Sequence, residues 1–116
     1  MWNRQGKLVQ YVYHPDQPSR FGEAFEWEMK PLERGRWHSL TTTVKINTPN
    51  KHGGKIQSWL NGKLVLDKRN IRFRSTNKLQ IDRFMFVSFF GGGNSSWAPN
   101  RGQVAYFDEF VISAIK

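Results

Sequence analysis

Apolar and polar positions alternate along most of this chain with a period of two, the signature of strands with unlike faces. From Lys7 to Tyr13, Leu8, Gln10 and Val12 fall on one side and Lys7, Val9, Tyr11 and Tyr13 on the other. Trp37–Asn47 repeats the pattern, with Leu40, Val44 and Ile46 against Ser39, Thr41, Thr43 and Lys45. Lys55–Leu60 runs into Asn61-Gly62, and Lys63–Leu66 follows. Asn-Gly between two such runs predicts a tight hairpin, because both residues tolerate positive φ. Leu79–Phe90 is long and strongly apolar, which predicts a strand partly buried on both faces, and Val104–Ile115 predicts a last strand. Gly22–Lys30, the best candidate for a helix, also alternates (Phe25, Trp27, Met29) and reads as extended. Loop signals separate these runs at 14–18, 48–50, 52–54 and 91–96. The expectation is an all-β, mainly antiparallel β-sandwich or jelly roll. Six or seven strands are few for a jelly roll. The chain also opens almost directly in a strand. It is therefore expected to be the C-terminal part of a larger jelly-roll domain, with an open edge where a partner strand belongs.

Length and composition narrow the picture further. At 116 residues the chain makes one domain, 1–116, with a modest core. Zero cysteines exclude disulfides, thiolate metal sites and a cysteine nucleophile. No apolar run approaches the roughly 18 residues of a membrane span, so no membrane partner is expected, and Met1–Gly6 lacks the apolar stretch of a signal peptide. Charge is uneven. Residues 45–83 hold ten basic side chains against Asp67 and Asp82, a net of +8, whereas residues 1–36 come to +1. Such a block suits a polyanionic partner, although a solvated basic face with no specific use has the same composition.

Most familiar sites are absent: there is no HExxH, P-loop, dinucleotide fingerprint or GxSxG. Gly91-Gly92-Gly93 lacks the Lys-Ser/Thr of a phosphate cradle and reads as a loop. His14, His38 and His52 are not at metal-ligand spacing. No cofactor is expected; a structural calcium ion at Asp108-Glu109 is the one candidate, and an edge-strand carboxylate is the plainer reading. Glu26 and Glu28 share a strand face and form the one attractive carboxylate pair, at a spacing common in strands. Tyr11 and Tyr13 emerge from one face, about 6.6 Å apart along the strand at the usual rise. Lys7 lies on that face too, and so does Val9, which favours an ordinary core pair.

An ordered series of short motifs then runs through nearly the whole chain. It comprises Gly6-Lys7-Leu8-Val9-Gln10-Tyr11-Val12-Tyr13-His14-Pro15-Asp16-Gln17, Gly22-Glu23-x-Phe25-x-Trp27, Gly35-x-Trp37-His38 and Val44-x-Ile46-Asn47-Thr48-Pro49. Further on come Gly54-x-Ile56-x-x-Trp59-Leu60-Asn61-Gly62, Phe89-Phe90-Gly91-Gly92, Ser96-Trp97-Ala98-Pro99 and Phe107-Asp108-x-Phe110-Val111-Ile112-Ser113. In this series the chain resembles alginate lyases of polysaccharide lyase family 14 and, more distantly, family 20 glucuronan lyases. The resemblance implies a concanavalin-like jelly roll with a polymer groove on one sheet, an extracellular location, and β-elimination on an anionic polysaccharide, alginate or glucuronan. It also implies that the Tyr-x-Tyr strand carries the catalytic tyrosine. Tyr11 is the first choice for base and acid, and Tyr13 positions substrate or shares the role. On geometry alone, Lys7 is a contact for a uronate carboxylate. His14 points to the opposite face and is at most a loop contact. The family further uses a lysine and a serine–arginine pair that precede the tyrosine strand; only ten residues precede Tyr11 here.

The chemistry accounts for these residue types. A uronate C5 proton is not acidic until the neighbouring carboxylate is neutralised; a base must then take it, and an acid must protonate the leaving oxygen. A phenol does both, provided nearby cations favour its anion. Lowering its pKa by ~2 units takes ~2.7 kcal/mol of preferential stabilisation.

Two other functions fit parts of the sequence. A non-catalytic carbohydrate-binding sandwich would stack sugars on Trp2, Trp27, Trp59 or Trp97, although core packing is the commoner fate of such residues. A nucleic-acid binder would use Arg69–Arg83 with Phe73 interleaved, a pattern that a half-buried strand also produces.

Overall fold

A computed structural model describes residue 3 and residues 5–114. Five strands form: β1 (Val9–Val12), β2 (Glu23–Glu26), β3 (Leu40–Lys45), β4 (Gly54–Leu60) and β5 (Lys63–Ile71). All pairings are antiparallel, β1 with β2 in one sheet and β3-β4-β5 in another. Among the described residues there is no α-helix, only a 3₁₀ turn at Ser95–Trp97. The all-β antiparallel expectation holds, and the arrangement is consistent with a β-sandwich.

Local sequence explains the larger sheet. Asn61 and Gly62 take φ of 49° and 79°, the left-handed pair a two-residue hairpin requires, and β4 turns directly into β5. Asn61 also accepts the Ser39 N–H at 2.9 Å through Oδ1 and donates its own N–H to the Ser39 carbonyl at 2.8 Å, fixing where β3 begins. β3 and β4 pair without a break from Leu40↔Leu60 to Lys45↔Lys55. β5 outruns the predicted Lys63–Leu66. Register shifts and a left-handed Asn70 (φ 61°) let the polar Asp67–Asn70 stretch continue the ladder.

The sheets pack through their inner faces. Val12 and Phe25 meet Ile56 and Ile71 in one cluster; Leu8 and Trp27 meet Val65 in a second. Each such side chain contributes about 1.5–3 kcal/mol by leaving water. Asn47, 1 % exposed, is satisfied on both amide atoms. Its Oδ1 accepts the Phe73 and Arg74 N–H groups at 2.7 and 3.1 Å, and its Nδ2 donates to the Thr48 and Arg74 carbonyls, each at 2.8 Å. The motif Ile46-Asn47-Thr48-Pro49 thus pins the β3–β4 turn to the chain leaving β5.

The described chain divides into two compact units, one ending at Asp82 and one beginning at Arg83. All five strands lie in the first. Leu79–Phe90 and the described part of Val104–Ile115 form no strand, contrary to the expectation from their apolar character; Ile115 lies outside the described residues. Phe89 is 77 % exposed and Val111 86 %. Within this second unit Phe86 packs edge-on against Phe107 and Phe110, with centroids 4.8 and 4.9 Å apart. An apolar run supplies surface to bury, but a strand also needs a ladder partner for its backbone, and none pairs with these segments among the described residues.

Candidate active site on the tyrosine strand

The outer face of β1–β2, turned away from the core, carries the tyrosines. Tyr11 is 38 % exposed and Tyr13 64 %, so the plain expectation of a core aromatic pair does not hold. Their rings meet edge to face, with centroids 5.6 Å apart and planes at 81°. Val9, on the same face by parity, is buried as a core face requires, but the tyrosines do not follow it. Opposite the tyrosines the second strand is small: Tyr11 pairs with Ala24, and Gly22 precedes β2. A Cβ at Gly22 would stand 2.7 Å from Tyr11 Cε1 and 2.9 Å from the Val12 carbonyl oxygen, closer than real Cβ atoms approach. Only glycine lets the Tyr11 ring lie against the backbone there.

Lys7 Nζ stands 3.9 Å from Glu26 Oε2. Asn3 Nδ2 donates to Glu26 Oε1 at 3.1 Å, while Asn3 Oδ1 accepts the Gln5 and Lys7 N–H groups, each at 3.0 Å. The site therefore holds its own carboxylate beside the lysine assigned to a uronate. Burial pushes the Tyr11 phenol above its ordinary value; the Tyr13 phenol adds to this, and the Gly22 backbone amide opposes it. The direction is opposite to the cation-driven lowering expected from sequence, because the groups that act on this phenol include no cation.

The remaining sequence candidates lie apart from the tyrosines. His14 is on the other face, its side chain 8 % exposed, with Nε2 2.9 Å from Glu23 Oε2 and a buried, unpartnered Nδ1. His38 Nε2 lies 3.0 Å from the Glu33 carbonyl, and His52 Nε2 3.1 Å from Asp16 Oδ2. No group of three or more His, Cys, Asp or Glu side chains suits a metal ion among the described residues. Asp108 Oδ1 accepts the N–H of Glu109 at 2.8 Å. The Glu26 carboxylate faces Lys7, and the Glu28 backbone N–H donates to the Val65 carbonyl at 2.7 Å.

Of the tryptophans, Trp27 is core and buries its indole N–H without a partner, Trp59 is half-buried on β4, and Trp97 is exposed; Trp2 lies outside the described residues. The Arg69–Arg83 stretch is not a free basic ribbon. Arg69 is held by Asp67, Arg72 by Asp16, Arg74 by the Asn47 and Leu79 carbonyls, and Phe73 packs on the core. A shallow depression of about 350 Å³ beside Met29, Leu32, His38 and Leu60 contains neither tyrosine. Among the described residues, no helix is long and apolar enough to cross a membrane.

Sequence reasoning named both tyrosines and Lys7 as candidates, and the structure leaves both phenols open to solvent. It missed Gly22 and Glu26 as parts of the same face. The signal was in register: small and acidic residues alternate at Gly22, Ala24 and Glu26, but only pairing with β1 shows what they face.

A search of curated proteins finds no match to this chain, and neither does a search of solved structures. The family model for polysaccharide lyase 14 matches residues 1–110, from before the tyrosine strand to Phe110. A polysaccharide is the substrate class this match implies. The chain belongs to the polysaccharide lyase 14 family.

Proposed function

We propose that the protein cleaves a uronate-containing anionic polysaccharide, alginate before glucuronan, by β-elimination on the outer face of β1–β2. The observation that carries this is the exposed Tyr11–Tyr13 pair in a chain of this lyase family. Tyr11 is the base and acid. Its phenolate takes the C5 proton; the C–H electron pair becomes the C4=C5 double bond; the C4–O bond breaks, and the departing oxygen takes the proton back from the phenol. The phenolate is restored and no cofactor is consumed. Tyr13, at the edge of the Tyr11 ring, orients the sugar. Lys7 neutralises the uronate carboxylate, for which it must exchange Glu26 for substrate. The resting phenol resists ionising, so turnover requires a cation near Tyr11 that favours the phenolate in the complex. An extracellular location goes with this reading.

The test is ultraviolet absorbance of the unsaturated uronate when alginate is incubated with the protein, including any upstream segment its gene encodes. A linear rise supports the reading; no rise from that longer protein refutes it. A second reading, a carbohydrate-binding sandwich without turnover, is favoured by two observations: Tyr11 is raised, and Lys7 is already occupied by Glu26. Retention on alginate with no unsaturated product selects it.

A further inference from the structure

The outer face of β3-β4-β5 points away from the shared core and has been given no role above. Lys45 and Lys55 stand directly opposite each other across the β3–β4 ladder, next to its open end. Like charges in register repel, which is a cost the sheet carries unless an anion sits between them. Neither lysine forms an ion pair among the described residues. Asp67, the acid on the same face, is held chiefly by Arg69, whose Nε and Nη2 reach it at 3.0 and 2.7 Å, and only secondarily by Gln57 and Lys55, which leaves Lys45 without an acid. Along β4 the same face continues through Gln57 to half-buried Trp59, opposite Thr43 and Thr41. Lys55 and Trp59 are thus about 13 Å apart along one strand, at about 3.3 Å per residue. Among the described residues this face is cationic at one end and aromatic at the other, and its one acid, Asp67, is engaged chiefly by Arg69.

We propose that this face is a second, non-catalytic binding site for an acidic polysaccharide, with Lys45 and Lys55 sharing uronate carboxylates and Trp59 offering a stacking surface to a sugar ring. Charge complementarity identifies the occupant: a bridging carboxylate turns the lysine repulsion into two attractions. Gln57 and the threonines supply the donors and acceptors that sugar hydroxyls need. A nucleic acid fits less well, because the arginines nearest this face are held internally and Trp59 is its one aromatic. The inference rests on the reading that the substrate is acidic, but not on any role for Tyr11.

The experiment compares the whole chain with Lys45→Gln/Lys55→Gln by affinity electrophoresis in gels containing alginate, a neutral glucan or single-stranded DNA. Both variants are also made in a Tyr11→Phe background, so that the polymer stays intact. The expected result is alginate affinity weakened about two- to thirtyfold, the range for two exposed ionic contacts, with no change on the neutral glucan. Turnover of a short oligouronate, too small to span both faces, should stay the same. Alginate retention unaltered by the double substitution overturns the proposal. So does wild-type protein that alginate fails to retard at low salt, or a loss confined to DNA. If alginate is never cleaved but the lysine pair still governs retention, the lyase reading fails and this one stands.

Discussion

The two sheets divide the work unequally. β1–β2 is short, four residues a strand, and carries the phenols on a face padded by Gly22 and Ala24. β3-β4-β5 is longer and more continuous, and it contributes Ile56, Val65 and Ile71 to the core. A two-stranded ribbon is not stable in water by itself. The tyrosine sheet therefore holds its shape because Val12, Phe25, Leu8 and Trp27 rest on the larger sheet. The proposed chemistry falls on the dependent sheet and stability on its support. Substitutions should accordingly separate into those that stop turnover in a folded protein and those that unfold both sheets together.

The largest expected effect is on turnover alone. Tyr11→Phe removes the phenol oxygen but keeps the ring on Gly22. Unsaturated product should fall by about 10²–10⁴-fold, the usual worth of a positioned acid–base group, with alginate binding and the thermal midpoint unchanged. Undiminished turnover would take Tyr11 out of the reaction. The converse is Ile56→Ala, in the supporting sheet and 2 % exposed. It should cost about 2–5 kcal/mol, read by denaturant unfolding, and both sheets should lose hydrogen-exchange protection together. Loss confined to β3-β4-β5 would show that β1–β2 stands by itself.

Much of this division was legible from residue order. Asn61-Gly62 located the hairpin, and the spacing of Tyr11 and Tyr13 put both phenols on one face, because turns and faces are local properties. Exposure was not local. Val9 shares that face by parity yet is buried, while both phenols are open. Leu79–Phe90 shows the same limit on a larger scale. Its apolar run states what a strand would bury and says nothing about which strand completes the ladder. Gly22 mattered for the same kind of reason, since its meaning lies in the ring across the sheet.

Gly22→Ala probes the junction between the two roles. The added methyl would press on Tyr11 Cε1 at 2.7 Å and on the Val12 carbonyl at 2.9 Å, so the ring, which can swing outward, moves more than the backbone. Overpacking of this kind costs about 1–3 kcal/mol. kcat should fall more than KM rises, and the Tyr11 phenol titration seen in the ultraviolet should move. Wild-type kinetics and titration in this variant would mean that the ring's seat is irrelevant.

A smaller effect concerns acid. Asp16, in the loop after β1, is gripped by Arg72 at the end of β5 and by His52, which together hold its carboxyl down at about 2; the Arg72 hydrogen bond is the leading cause. A carboxylate whose folded value lies below its ordinary 3.8 stabilises the fold above that ordinary value, and the contribution fades as pH falls through about 2. Thermal midpoints should drop between about pH 4 and pH 2, and Asp16→Asn should flatten that part of the profile. An unchanged profile would show that this clamp between the sheets contributes nothing.

The smallest expected effect is the most specific to the tyrosine sheet. Glu26 sits two positions along the face from Ala24, Tyr11's partner, and occupies Lys7 with the same functional group a uronate would present. Binding an acidic sugar there means displacing that carboxylate and tolerating its charge nearby. Glu26→Gln keeps the shape and the Asn3 contact but removes the charge. KM for alginate should fall by about 1.4- to 5-fold, in line with one exposed ionic contact, while kcat barely moves, and the gain should shrink as salt rises. A rise in KM would mean that Glu26 holds Lys7 in place for the substrate. The carboxylate would then belong to the binding site as a support, and the tyrosine face would rely on its internal ion pair as the larger sheet relies on its core.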